Sequence, residues 1–128
     1  MISDIRVFLC DDDHLRFFGE GPCRLLHLIE ETGSLRAAAM SMGMAYTKAL
    51  AIMRRAEKNL GFPLTARRIG GKGGGGSVLT QKAKEFLHDY ETWRNACIQS
   101  SRELYTQIFS KYSRNNSGAD GAREFPGN

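Results

Sequence analysis

Leu64-Thr65-Ala66-Arg67-Arg68-Ile69, then Gly70-Gly71-Lys72-Gly73-Gly74-Gly75-Gly76, then Ser77-Val78-Leu79-Thr80 is the stretch that decides the fold. Six of the 14 glycines sit in its middle seven positions. A glycine run has no side chains to pack and much backbone entropy to lose on ordering. Both flanks, however, read as short strands, so the run is the tip of a hairpin rather than a linker. Glycine lets such a tip approach a nucleic-acid backbone closely, and Lys72 places a cation on it. Lys72, Gly73 and Gly74 are therefore candidate DNA contacts.

The charge pattern around the hairpin points the same way. From Ser34 to Lys84 there are ten Lys or Arg and one acid, Glu57, a net of +9. Residues 1–33 carry −4 and residues 85–128 carry −1, which together give the overall +4. One basic block between two acidic flanks implies a polyanionic partner. The alternative is a solvated basic face without a ligand.

Upstream, the pattern is helical. A strand is expected over 5–10, a turn at Asp11-Asp12-Asp13, and a returning strand over 15–18. The acidic triplet lacks the EF-hand spacing and distal Glu, so it reads as a turn rather than a calcium loop. A first helix is expected from Pro22 or Cys23 to about Thr32, with Leu25, Leu26, Leu28 and Ile29 as its apolar stripe and Gly33 as its stop. Ser34 suits the N-cap of a second helix carrying Leu35, Ala38, Ala39 and Met42, which Gly43 ends. A third helix is expected over about 45–60, closed by Gly61 and Pro63, with Ala45, Ala49, Ile52, Met53, Ala56 and Leu60 facing the core. Two short helices across a Gly-containing turn make a helix-turn-helix. Followed by the hairpin, they make a winged helix-turn-helix.

Thr80 then caps a long helix over about 81–110, with Ala83, Phe86, Leu87, Tyr90, Trp93, Leu104 and Ile108 on one side. The helix is too long for a small core to cover. Phe86, Leu87, Tyr90, Trp93 and Leu104 are the expected dimer seam; a helix folded back on its own domain is the alternative. Core or seam also outweighs a base-stacking role for Tyr90 and Trp93. The fold class is thus mainly α with a small β-hairpin wing, a long C-terminal dimerisation helix and an N-terminal strand. Residues 1–112 are expected as one DNA-binding domain (helix-turn-helix about 34–61, wing 64–80, long helix 81–110). Residues 113–128 are polar and aperiodic and are expected to be a disordered tail.

Within that frame the candidate contacts sort by place. Tyr46, Thr47 and Lys48 open the recognition helix, whose first turns enter the major groove. Tyr46, with Leu50, could instead complete the core under the wing. Arg54 and Arg55 lie further along, toward the phosphate backbone. Ser34 and Arg36 suit phosphate contacts at the start of the second helix. Arg67, Arg68 and Lys72 belong to the wing, over the adjacent minor groove or backbone.

Several chemistries are not expected. The Walker A frame fails at Lys72-Gly73, and a G-x-G-x-x-G match inside a glycine run is trivial. No catalytic constellation stands out, so neither an enzyme nor a cofactor is expected. Cys10, Cys23 and Cys97 are widely spaced, as are His14, His27 and His88, so no disulfide framework or metal site is expected. The Asn115-Asn116-Ser117 sequon carries no weight without a secretion signal. No apolar run reaches bilayer length and no signal peptide is evident, which makes the cytoplasm the expected compartment.

The segments Gly33-Ser34-Leu35-Arg36-Ala37-Ala38-Ala39, Gly43-Met44-Ala45-Tyr46-Thr47-Lys48-Ala49 and GGKGGGGSVLT resemble the N-terminal domain of the molybdate-responsive ModE regulators. The resemblance covers roughly residues 20–110, and its helix-turn-helix part is similar to LysR-type regulators as well. It implies a dimeric winged-helix transcription regulator of bacterial type that binds duplex DNA. In that family the long helix after the wing and the N-terminal region build the dimer. Ser34, Tyr46, Arg67, Lys72 and the wing glycines match family positions. Thr47, Lys48 and Leu50 match in position without a clear match in type. Full-length members continue into oxyanion-binding domains that hold molybdate between subunits. These 128 residues show no counterpart of that module, so direct molybdate sensing is not expected and a separate sensor protein would have to carry it. The competing readings are a protein–protein adaptor, which has no need of the +9 block, and a nucleoid-type binder without sequence preference.

Overall fold

In the computed structural model, residues 1–69 and 75–112 are described. They form four helices and two small antiparallel hairpins, in the order β1, β2, α1, α2, α3, β3, β4, α4. This order is consistent with a winged helix. The described residues divide into two compact units, Val7–Thr92 and Met1–Arg6 with the described residues from Trp93.

The larger unit opens with the hairpin of β1 (Leu9–Cys10) and β2 (Arg16–Phe18), which pairs Leu9 with Phe18 and Cys10 with Arg16. The strand expected over 5–10 is thus only two residues long. Asp11 makes the turn: its Oδ1 accepts from the Asp13 and Leu15 amides at 2.8 and 3.0 Å. The ladder stops at Leu9 because residues 5–8 would have to pair with the residues after Phe18, and those are helical from Glu20 onward.

Helix α1 spans Glu20–Thr32, starting ahead of the expected Pro22. Proline is tolerated there because the first-turn amides have no intrahelical acceptor. Gly33 ends α1 in the left-handed region (φ 77°), returning its amide to Ile29 O at 2.7 Å. Ser34 then caps α2 (Leu35–Ser41), its Oγ accepting from the Ala37 amide at 3.0 Å. Met42 to Ala45 turn the chain into α3 (Tyr46–Leu60), whose N-cap is Ala45. That position is exposed, so Ala45 leaves the expected core face. Ala49, Met53 and Ala56 are buried, with Ile52 and Leu60 packed against the core.

Strands β3 (Thr65–Arg67) and β4 (Ser77–Leu79) pair in register, Thr65 with Leu79 and Arg67 with Ser77. Glu57, the one acid of the basic block, accepts from the Leu64 amide at 2.8 Å and so sets where the hairpin departs from α3. Thr80 bridges hairpin and helix: its Oγ1 donates to Pro63 O at 2.8 Å and accepts from the Ala83 amide at 3.1 Å. Helix α4 then runs Gln81–Phe109 into a short 3-10 turn.

The core of this unit is small and mixed. Phe18, Leu25, Leu26, Ile29 and Leu64 are the largest fully buried side chains, with Ala38, Ala39 and Ala49 allowing close helix approach. Two of the expected dimer residues belong here: Leu87 is 5% and Tyr90 2% exposed. Phe86 is half-buried and meets Phe18 edge-on at 4.7 Å, as Tyr90 does at 5.0 Å. The Tyr90 hydroxyl donates to Val7 O at 2.9 Å. Leu87 and Tyr90 thus lie in the chain's own core, with Phe86 packed against it. The first hairpin brings Phe18 onto the start of α4, a tertiary contact that helical periodicity alone does not reveal.

In the second unit the Tyr105 hydroxyl donates to Met1 O at 2.8 Å, and Tyr105 stacks on Phe109 at 5.6 Å. Trp93 and Leu104 stay 41% and 51% exposed there. No described helix is long and apolar enough to cross a membrane. The tail expected over 113–128 lies outside the described residues.

Candidate nucleic-acid interface

The candidate contacts that are described all lie in the Val7–Thr92 unit. Thr47, Lys48 and Arg54 are exposed along α3, and Arg36 is exposed on the first turn of α2. The turn brings the starts of the two helices together. The Arg36 guanidinium lies over the Tyr46 ring at 4.2 Å from its centroid. Stacking fixes the plane of a guanidinium while leaving its edge donors available. Half-buried Tyr46 thus shapes the surface by orienting Arg36, and it need not itself touch a base.

Ser34 is half-buried and its oxygen already caps α2. Its hydroxyl hydrogen remains a donor for an anionic oxygen. Leu50 is half-buried.

Arg55 behaves differently from its neighbour. Its Nε donates to Arg16 O at 3.0 Å, and its Nη2 meets Asp11 Oδ2 at 3.2 Å. This guanidinium ties α3 to the first hairpin, a role that its place in a basic run did not suggest. Asp11 is held below the usual carboxylate range, chiefly by the Leu15 amide, with the Asp13 amide and Arg55 adding to the effect and burial opposing it.

The second hairpin is stitched to the α1–α2 junction. The Ser77 amide donates to Gly33 O at 2.7 Å, and the Arg68 amide to Gly76 O at 3.0 Å. The Arg68 guanidinium fills the space that two glycines leave. A Cβ added at Gly33 would lie 3.0 Å from its Nη1, and one at Gly76 would lie 2.6 Å from its Nη2 and 2.9 Å from Gly33 O. Arg68 therefore sits beside Ser34, at the start of α2, and joins the hairpin charges to those of the helices. Arg67 is exposed on β3. Lys72, Gly73 and Gly74 lie outside the described residues. Lys82, at the start of α4, lies 5.7 Å from the Phe62 ring centroid.

No family model matches the chain. The molybdenum transport protein ModE of Herbaspirillum seropedicae is 36% identical over 94 residues, covering 62% of this chain and 33% of the relative. The transcriptional regulator ModE of Haemophilus influenzae is 37% identical over 68 residues, covering 53% and 27%. The molybdenum-pterin-binding protein MopB of Rhodobacter capsulatus is 36% identical over 66 residues, covering 52% and 24%. The matched stretch thus spans a third of the first relative and less of the other two. Over that stretch the chain is related to molybdenum-linked proteins named ModE and MopB, one of them named as a transcriptional regulator and none as an enzyme.

Proposed function

We propose that this chain is a DNA-binding transcription regulator of the ModE type, a winged helix-turn-helix that acts as a homodimer on duplex DNA in the cytoplasm. In this reading α2 and α3 are the helix-turn-helix and the β3–β4 hairpin is the wing. The observation that carries it is the convergence of Ser34, Arg36 and Arg68 at the α1–α2 junction, with exposed Thr47 and Lys48 at the start of α3. That array offers phosphate donors beside a helix start that could read base edges.

Lys48 and Thr47 read the major groove, while Ser34, Arg36, Arg54, Arg67 and Arg68 grip the phosphate backbone. Lys72, Gly73 and Gly74, which lie outside the described residues, are the proposed contacts to the adjacent backbone or minor groove. Arg55, engaged with Asp11 and Arg16, supports the scaffold. The likeness to a protein named as a transcriptional regulator supports DNA as the partner. The molybdenum-linked names of the relatives make genes of molybdenum handling the proposed targets.

The test is a selection of genomic fragments by the purified protein at near-physiological salt. Enrichment of a short inverted repeat is expected. Recovery of unenriched DNA would replace this reading with a nucleoid-type binder, and recovery of none would replace it with an adaptor.

A further inference from the structure

Three metal-ligating side chains from α1 and α4 converge, and none of them belongs to the proposed DNA surface. Cys23 and His27 stand one helical turn apart on α1, hence on one face. Glu91 reaches them from α4. Cys23 Sγ lies 3.6 Å from Glu91 Oε2, and His27 Nε2 lies 2.8 Å from the same oxygen. The three ligand atoms all fall within 4.8 Å of one another.

These distances suit one ion. Zinc–sulfur and zinc–oxygen bonds of about 2.3 and 2.1 Å at a tetrahedral angle separate the two ligand atoms by about 3.6 Å. The Cys23–Glu91 edge already has that length. The His27–Glu91 edge has to open by roughly half an ångström to the nitrogen–oxygen spacing of the same tetrahedron. Both side chains are half-buried, so a small rotation achieves this without moving the core. The donor set also selects the metal. One sulfur, one nitrogen and one oxygen suit a borderline cation, whereas calcium and magnesium demand oxygen shells. A thiolate, a carboxylate and a neutral imidazole balance a divalent charge, which matters beside a cysteine that is 3% exposed. Both His27 and Glu91 side chains are partly open to solvent, from which an ion and a water as fourth ligand would come.

We propose that Cys23, His27 and Glu91 form a binding site for a zinc-class divalent cation that fastens α1 to α4. The ion would cross-link two elements of the core, so the loaded protein would unfold at a higher temperature than the metal-free protein.

The experiment is a titration of the full chain, freed of metal by a chelator and kept reduced, with Co2+ and then Zn2+. One equivalent of Co2+ is expected to raise a thiolate-to-cobalt charge-transfer band, and Zn2+ to bleach it while raising Tm. Cys23→Ser should abolish the band, whereas the Cys10→Ser/Cys97→Ser double variant should keep it. Glu91→Gln should weaken binding roughly tenfold or more, since even outer-shell losses cost that much. Absence of stoichiometric binding, or a band that survives Cys23→Ser, would overturn the proposal. Should Cys23→Ser fail to fold by circular dichroism, Glu91→Gln decides: unchanged affinity there also overturns it, leaving a His–Glu pair beside a buried thiol.

Discussion

At the scale of single residues, exposed bases of the same type are expected to do different work. Lys48 stands on the first turn of α3, and Lys72 belongs to the glycine run of the sequence. Replacing Lys72 with Ala should weaken binding to every duplex alike and reduce the slope of log affinity against log salt by about 0.9, the value of one phosphate contact. Replacing Lys48 with Ala should instead change the preferred site, measured by repeating the selection with the variant. Equal loss on all sequences would remove Lys48 from the reading set. Tyr46 gives a second contrast. Its ring holds Arg36 at 4.2 Å, an interaction worth about 0.5–1 kcal/mol at an exposed site. Tyr46→Ala should therefore lower DNA affinity about two- to fivefold by that scale, while Tyr46→Phe keeps the ring and the affinity. Fluorescence anisotropy on one operator duplex separates the two outcomes; a loss with Phe equal to that with Ala would assign the work to the hydroxyl.

At the scale of elements, the two hairpins are held by different physics and should fail differently. The second is held by close backbone approach. A methyl group at Gly76 would lie 2.9 Å from Gly33 O, whereas one at Gly75 meets nothing within 4 Å. Gly76→Ala should cost about 1–3 kcal/mol, the range for overpacking a tight contact, and deprotect the Ser77 amide in hydrogen exchange. Gly75→Ala should be nearly silent in both. The first hairpin is held by a carboxylate. Asp11 titrates below the usual range, so its contribution is complete above the ordinary carboxylate range and is lost as pH falls through the lowered native value. Thermal melts of Asp11→Asn should lie below those of the native chain at neutral pH and converge with them in strong acid. Parallel curves at all pH values would assign the turn to the backbone alone. These elements also mark how far the sequence could be read. Capping and stop residues (Ser34, Gly33, Gly61, Thr80) are local chemistry, so α2, α3 and the strand pair stood close to their expected limits. The engagement of Arg55 by Asp11 and the meeting of Cys23 and His27 with Glu91 depend on partners 44 and 64 or more residues away. Periodicity carries no information about such pairs. The four-residue spacing of Cys23 and His27 goes unread in the sequence, and without Glu91 it makes half a site.

At the scale of the whole molecule, the proposed dimer has to find its seam outside the core. Leu87 and Tyr90 are buried in the chain's own core and Phe86 packs against it, which points the proposed seam to the later part of α4. There Trp93, Leu104, Ile108 and Phe109 are exposed, with Cys97 half-buried. Positions 97, 101, 104 and 108 follow the four–three–four spacing of a helix that packs against another along one stripe. Burying a Leu or Ile contributes about 1.5–3 kcal/mol each, and a two-fold axis would bury each twice. The double variant Leu104→Asp/Ile108→Asp should therefore sediment as a monomer where the native chain sediments as a dimer. Its larger unit should keep its own stability, because neither residue is in that core. Affinity for an inverted repeat should fall at least tenfold as the second half-site contact is lost, while affinity for an isolated half-site stays unchanged. A native chain that sediments as a monomer at every concentration would end the dimer reading. A double variant that stays dimeric would move the seam off this stripe. Loss of half-site binding alongside repeat binding would show instead that the α4 stripe supports the DNA-binding unit itself.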